Sequence, residues 1–327
     1  MLSPGSLEEI ATLLLPPGPH QTLSFSNDGS ELLLGTYDYQ RRAGASGVIN
    51  TPALGVMWVN WAAQGEAPIV RVIPPERFIP NVDSRVYPIG VDVEVALAIA
   101  GSRSAYEGND EQVWLLNKDE RIPARLVHQV RNSPLTHSLS WDRTHLLLLG
   151  AQSDRPELEI IPLVPFGPVR RVPLARGGSV QAIALNASRT HVAIAYQDLV
   201  ACAALDGEEV CRWPNATRVE QLSFAEDDLA LWGMRSDAVT LFQWKGEPVD
   251  IAVPGMRPRA IDAEARTALF FRGHREFCEL DLSSRVRRSS GHLSDHPHSA
   301  WHLKRRRYAT LDDSSEGPRL RVFRLTD

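Results

Sequence analysis

Lysine is nearly missing from this chain: of 35 basic residues only Lys118, Lys245 and Lys304 are lysines, and the rest are arginines. The bias reads as genomic composition, and arginine's planar head suits bidentate interface contacts without demonstrating one. Cysteine is scarce as well. Cys202, Cys211 and Cys278 form no CxxC pair and leave an odd thiol, so neither a disulfide framework nor a zinc ribbon is supported, and all three read as buried small hydrophobes. No apolar run approaches the roughly 20 residues that span a bilayer. Residues 1–19 also lack the basic start and small-residue cleavage site of a secretory signal, so a soluble, cytoplasmic protein without membrane contact is expected. A net charge of −5 is too mild and of the wrong sign for a dedicated nucleic-acid binder. Catalytic signatures are missing too: no GxSxG elbow, GxxxxGK[ST] phosphate loop, HExxH pair or GxGxxG fingerprint occurs.

What is present is a repeated phrase. Leu139-Ser140-Trp141-Asp142-Arg143-Thr144-His145-Leu146-Leu147-Leu148 returns as Leu185-Asn186-Ala187-Ser188-Arg189-Thr190-His191-Val192-Ala193-Ile194, and its Arg-Thr returns at Arg266-Thr267 before Ala268-Leu269-Phe270. Each copy sets a short alternating strand, a polar turn and a continuously apolar strand in order, which is how the inner half of a β-propeller blade reads. Second strands begin near Leu32, Val95, Leu146, Val192, Leu229, Leu269 and Tyr308, and the later spacings cluster at about forty residues, the usual blade period. Third strands such as Val56–Val59, Val200–Ala203 and Leu320–Phe323 follow, and then edge strands such as Ile69–Ile73, Val210–Trp213 and, weakly, Arg285–Arg288. The reading is all-β: one domain, residues 1–327, a seven-bladed β-propeller of four-stranded antiparallel blades, with six and eight blades left open.

The chain ends just after a third strand and begins with an otherwise orphaned apolar segment, residues 11–15, so that segment is expected to complete the last blade and close the ring. A short helix competes with it. Ser6 and Glu9 have capping-box spacing, and Leu7, Ile10 and Leu14 fall on one helical face.

In Leu23-Ser24-Phe25-Ser26-Asn27-Asp28-Gly29-Ser30-Glu31-Leu32-Leu33-Leu34-Gly35 and its weaker copies the chain resembles the divergent end of the WD40-like β-propeller superfamily, over nearly its whole length. The resemblance implies the fold and a role in protein interaction. The family's usual signatures are displaced: Trp141-Asp142 lies in a hairpin turn, and Gly291-His292 is the only Gly-His near its expected place.

Against the repeat, the excess length collects in units seven, one and two. Second-to-third connections are long at Asp38–Leu54, Ser102–Asp110 and Asp312–Pro318, and fourth-to-first connections at Pro74–Ser84 and Ser289–Ser299. In a propeller these two classes of loop leave on one face, and long loops on a rigid scaffold are disproportionately functional. The candidate contacts there are Tyr37, Tyr39, Arg41, Arg42, Arg77, Phe78, Asn81 and Tyr106, with His296, His298 and Asp313 across the seam, since aromatics and arginines dominate binding hot spots. The histidines of Gly291–His302 have metal-ligand character but no recognisable pair spacing, and read as solvated loop residues, so no metal and no cofactor is expected. Lys304-Arg305-Arg306-Arg307 reads as a solvated hairpin turn on the opposite face. The expected function is a non-catalytic scaffold that presents loops to a protein partner in a bacterial multiprotein system; partner identity and oligomeric state stay open. A second reading is a propeller hydrolase or lactonase-like enzyme using channel carboxylates such as Asp92, Glu94, Asp262 and Glu264, with a divalent cation; a third is a nucleic-acid-binding propeller.

Overall fold

The structure is a computed structural model that describes residues 7–15, 20–44, 47–61, 69–72, 85–91, 94–101, 111–119, 121–130, 135–140, 143–150, 157–174, 178–225, 230–262, 266–273, 276–292, 299–314 and 317–326. Seven four-stranded antiparallel sheets account for nearly all of it, the all-β class of a seven-bladed propeller. The chain divides into two compact units, one of Glu8–Pro134 with His296–Leu325 and one of Leu135–Asp295 with Met1–Leu7 and Thr326–Asp327.

The first unit holds three blades. Blade 1 takes β2 (His20–Phe25), β3 (Leu32–Gly44), β4 (Gly47–Val59) and β5 (Ile69–Val72); blade 2 takes β6 (Arg85–Gly90), β7 (Val95–Gly101), β8 (Glu111–Asn117) and β9 (Arg125–Val130). Blade 7 is built from both ends of the chain: β26 (Ser299–His302), β27 (Arg307–Ser314) and β28 (Gly317–Leu325), with β1 (Leu7–Leu14) as its outer strand. Along β1 the burial has period two, with Ala11, Leu13 and Leu15 turned inward and Thr12 and Leu14 outward. A helix would have buried Leu14 with Ile10, yet Leu14 is 59% exposed. The edge of β28 offers backbone partners that an isolated helical turn lacks, and the strand wins. Leu15, Phe25, Leu32, Leu34, Met57, Val59, Ala309, Leu320 and Val322 form one core between blades 7 and 1, and Leu33, Trp58, Ala96, Ala98, Trp114 and Leu116 another between blades 1 and 2.

The second unit holds blade 3, β10 (Leu135–Leu139), β11 (His145–Gly150), β12 (Glu157–Pro162) and β13 (Arg170–Pro173), and blade 4, β14 (Val180–Leu185), β15 (His191–Tyr196), β16 (Leu199–Ala204) and β17 (Glu209–Pro214). Blade 5 follows as β18 (Val219–Phe224), β19 (Ala230–Arg235), β20 (Val239–Gln243) and β21 (Val249–Ile251), and blade 6 as β22 (Arg257–Asp262), β23 (Thr267–Arg272), β24 (Glu276–Asp281) and β25 (Arg287–His292). Second strands such as β15 are buried on both faces, which is why they read as continuous apolar runs.

The repeated phrase is a turn. In blade 4 the Asn186 Oδ1 accepts the Thr190 and His191 N–H groups at 2.9 and 2.8 Å, and the Arg189 N–H donates back to the Asn186 carbonyl at 3.1 Å. In blade 3 the Ser140 hydroxyl accepts from the His145 N–H at 2.9 Å and the Arg143 N–H donates to the Ser140 carbonyl at 2.8 Å. Blade 1 closes the same turn from the Gly29 N–H to the Ser26 carbonyl at 3.0 Å. The closing residue must be left-handed: φ is +73° at Gly29, +57° at Arg143, +58° at Arg189 and +49° at Arg266. Glycine adopts that region without steric cost, whereas the arginines adopt it only because the turn's hydrogen bonds impose it. His145 and His191 each pair a ring nitrogen with the preceding threonine hydroxyl at 2.8 Å, so both belong to the turn.

Candidate functional site

Two hairpins in the first unit differ from the connections expected there. Residues 38–54 are not a loop. β3 and β4 pair without interruption from Leu32↔Val59 to Gly44↔Gly47, whereas β2 pairs with β3 only as far as Thr36 and β5 with β4 only as far as Val56. From Tyr37↔Leu54 to Gly44↔Gly47 the hairpin is therefore a two-stranded ribbon, eight pairs long and reaching about 26 Å beyond its sheet at roughly 3.3 Å per residue. Neither outer edge of the ribbon is paired by a described strand. Residues 312–318 are likewise strand: β27 and β28 pair to Ser314↔Gly317, four residues past the Ser299↔Thr310 end of β26. Both hairpins join second to third strands, so they leave the same end of neighbouring blades.

The expected contact residues divide accordingly. Tyr37, Tyr39, Arg41 and Arg42 are ribbon residues, paired in register with Leu54, Pro52, Asn50 and Ile49, and Asp313 sits in the second hairpin opposite Pro318. Arg77, Phe78, Asn81, Tyr106, His296 and His298 lie outside the described residues, as do Asp92 and Glu264. Glu94 is in the turn before β7, where its carbonyl accepts from the Lys118 N–H at 2.7 Å, and Asp262 ends β22.

At the end of blade 1 away from the ribbon, the turn between β2 and β3 is clasped from both sides, an arrangement sequence reasoning missed. At the end of β26, His302 is 7% exposed rather than solvated. Its Nδ1 accepts from the Arg305 N–H at 3.2 Å, capping the 3₁₀ turn Leu303–Arg305, and this fixes the ring proton on Nε2, which donates to the Asn27 carbonyl at 2.9 Å. The Arg305 Nε donates to the Asp28 carbonyl at 3.3 Å, and an Arg307 Nη to the Gly29 carbonyl at 2.7 Å. Three successive carbonyls of the blade 1 turn are thus held by blade 7. Arg307 also lies over the Trp61 ring, 4.7 Å from its centroid, and Phe25 meets His302 edge to face at 5.9 Å. Burial, with Arg305 and Arg324 nearby, pulls the Arg307 guanidinium below its usual value. Burial acts to raise the Asp28 carboxyl, but the Ser30 N–H and the Ser26 and Ser30 hydroxyls outweigh it and hold the group below its ordinary value. From the other side Lys118 of blade 2 reaches Glu31 at 2.6 Å. Within the basic run at 304–307, Arg305 and Arg307 therefore tie blade 7 to the blade 1 turn, although Lys304 and Arg305 stay exposed.

The ends of the chain brace the second hairpin. Arg321 on β28 bridges Glu9 of β1 and Asp312 of β27, the latter at 3.4 Å, and the Thr12 hydroxyl followed by Arg321 lowers the Glu9 carboxyl from its usual value. In the other unit a cavity of about 550 Å³ between β18 and β22 is lined by Glu220, Ser236, Arg257, Arg259 and Phe271, which gives one carboxylate against two guanidiniums. Among the described residues no group of three or more His, Cys, Asp or Glu side chains is placed to hold a metal ion, and no helix is long and apolar enough to cross a membrane.

No protein-family model matches the chain, and no curated protein matches it. Solved structures do. Of 987 matching chains, one in the crystal structure of the mitotic checkpoint complex is 13% identical, with 98% of this chain and 92% of that chain covered at a TM-score of 0.60. A likeness so widely shared and so low in identity speaks for architecture, and the architecture is that of a seven-bladed β-propeller.

Proposed function

We propose that this protein is a non-catalytic protein-interaction scaffold, one component of a bacterial multiprotein system, with its working surface on blades 7, 1 and 2. The observation that carries the reading is the β3–β4 ribbon, because eight residue pairs extend beyond a sheet whose opposite end is anchored by His302, Arg305, Arg307 and Lys118. With no third strand beside it among the described residues, the ribbon contributes little to its own blade. Rooted in a sheet that is anchored at its other end, it can offer backbone edges that no described strand pairs to an added strand and, in Tyr37, Tyr39, Arg41 and Arg42, the residue types that anchor interfaces. Ordering before binding lowers the entropy lost on docking. Arg77, Phe78, Asn81, Tyr106, His296, His298 and Asp313 complete the proposed surface from the flanking connections. The similar chain from the mitotic checkpoint complex also works within an assembly, which supports a role of this kind.

The test replaces residues 39–52 with Asn-Gly, a dipeptide suited to a two-residue hairpin turn, so that Asp38 and Ala53 close the shortened hairpin. Affinity purification with the intact and the trimmed chain is expected to lose a stable partner on trimming while the melting temperature stays unchanged. Recovery of the same partners by both chains would overturn the ribbon as the site, and absence of any stable partner of the intact chain would overturn the scaffold itself.

A further inference from the structure

We propose that Cys202 and Cys211 form a reversible disulfide across β16 and β17 of blade 4, made by exchange with a low-molecular-weight disulfide such as glutathione disulfide. The two residues are direct partners in the antiparallel register, although nine positions apart in a sequence without a CxxC. Opposed residues in such a ladder have Cα atoms about 4.5 or 5.5 Å apart, and both values lie inside the span of about 4.4–6.8 Å that a disulfide bridges. Their side chains share one side of the sheet. Cys202 is fully buried in the cluster that includes Trp213 and Phe242, and Cys211 packs against that cluster. Directly after the pair the register shifts, Ala203 facing Glu209, so a bulge at the neighbouring Val210 bends and twists the strand that carries Cys211. As a thiol Cys211 has a single weak engagement, 3.9 Å from the Trp244 carbonyl. Cys278 has no such partner, since it faces Phe270 and Ser290.

The order of events follows from access. Cys211 is half-buried on the outer strand, whereas burial and the neighbouring Cys211 push the Cys202 thiol up to about 12. Cys211 loses its proton to solvent and its thiolate attacks one sulfur of glutathione disulfide. That S–S bond breaks, and one glutathione leaves as a thiolate and takes up a proton. Cys202 then gives up its proton and attacks the Cys211 sulfur, releasing the second glutathione. Two thiols are oxidised and one glutathione disulfide is reduced to two thiols. Burial raises the Cys211 thiol too, so the thiolate is scarce near neutrality and the exchange is slow.

The experiment incubates the native, full-length protein with glutathione disulfide at pH 7, 8 and 9, quenches with acid, unfolds it, alkylates the remaining thiols and maps the peptides without reduction. Expected are a linked Cys202–Cys211 peptide, an alkylated Cys278, a rate that rises about tenfold per pH unit, and full reversal by a dithiol reductant. Cys202→Ser should stop at one glutathione held on Cys211, and Cys211→Ser should leave Cys202 reduced. Three alkylated thiols in the treated wild type would overturn the proposal, and so would a wild type that retains glutathione on Cys211.

Discussion

Replacing His302 by alanine tests the clasp most directly, because three separable contacts converge on one ring. The bond from Nε2–H to the Asn27 carbonyl contributes about 1 kcal/mol net. The cap that Nδ1 provides to the Arg305 N–H contributes about another 1 kcal/mol. The edge-to-face contact with Phe25 adds about 0.7 kcal/mol. His302→Ala should therefore cost about 2.7 kcal/mol, which for a chain of this length is a fall of about 4 °C in melting temperature. The sum can be dissected. His302→Asn keeps an acceptor where Nδ1 stood, and His302→Gln keeps a donor where Nε2 stood, so each should cost about 1.7 kcal/mol, one contact fewer than alanine. Urea unfolding followed by tryptophan fluorescence reads the stability. Hydrogen exchange at the Gly29 and Glu31 amides, which bond to Ser26, reads the turn itself and should accelerate in all three variants. A loss below about 0.5 kcal/mol for His302→Ala, or equal losses for Ala, Asn and Gln, would refute the reasoning, since the ring would then be acting as filler alone.

Two further outcomes test other parts of the fold. Gly233→Ala should cost about 1–3 kcal/mol by thermal unfolding, because a Cβ there lies 2.6 Å from the fully buried Phe242 ring and 3.1 Å from Val219; unchanged stability would mean that blade 5 packs more loosely than these distances allow. Asp281, whose carboxyl accepts the Ser284 N–H at 2.7 Å and pairs with Arg288, is held at about 2 against an ordinary 3.8, so its contribution is present above pH 3.8 and is lost as pH falls through about 2. Asp281→Asn should flatten that part of the acid-unfolding curve, and a curve that keeps its shape would discount the group.

The blades were legible where burial is two-sided or strictly alternating. Leu147, Leu149 and Val192–Ala195 announce their strands because each residue packs against a neighbouring blade. The ribbon was read as loop for the converse reason. Among the described residues no sheet flanks Tyr37–Gly44 and Gly47–Leu54, so none imposes the inward-outward alternation by which a strand is recognised, and Arg41, Arg42 and Pro52 look like loop residues. The sequence points to residues 285–288 for the edge strand of blade 6, whereas β25 spans 287–292, because an edge strand tolerates charge anywhere along it. In the sequence His302 has the look of a solvated histidine, yet its partner is a backbone carbonyl 275 positions away, and a carbonyl has no residue type to betray it. The cysteine pair was hidden in the same way, since a bulge changes the count of residues between partners without leaving a mark in composition.

The pairing of β1 with β28 also sets a clock. Glu9 and Arg321 are 312 positions apart, so at about 5–20 residues per second β1 waits about 15–60 s for the strand that completes it. Throughout that interval Ala11, Leu13 and Leu15 have no blade to enter, while the cores on either side of β15 can already assemble from local neighbours. Blade 7 is therefore the last to form however early the others condense. A ribosome stalled anywhere before β28 holds a nascent chain with an unsealed edge, and that is the species a chaperone would have to shield.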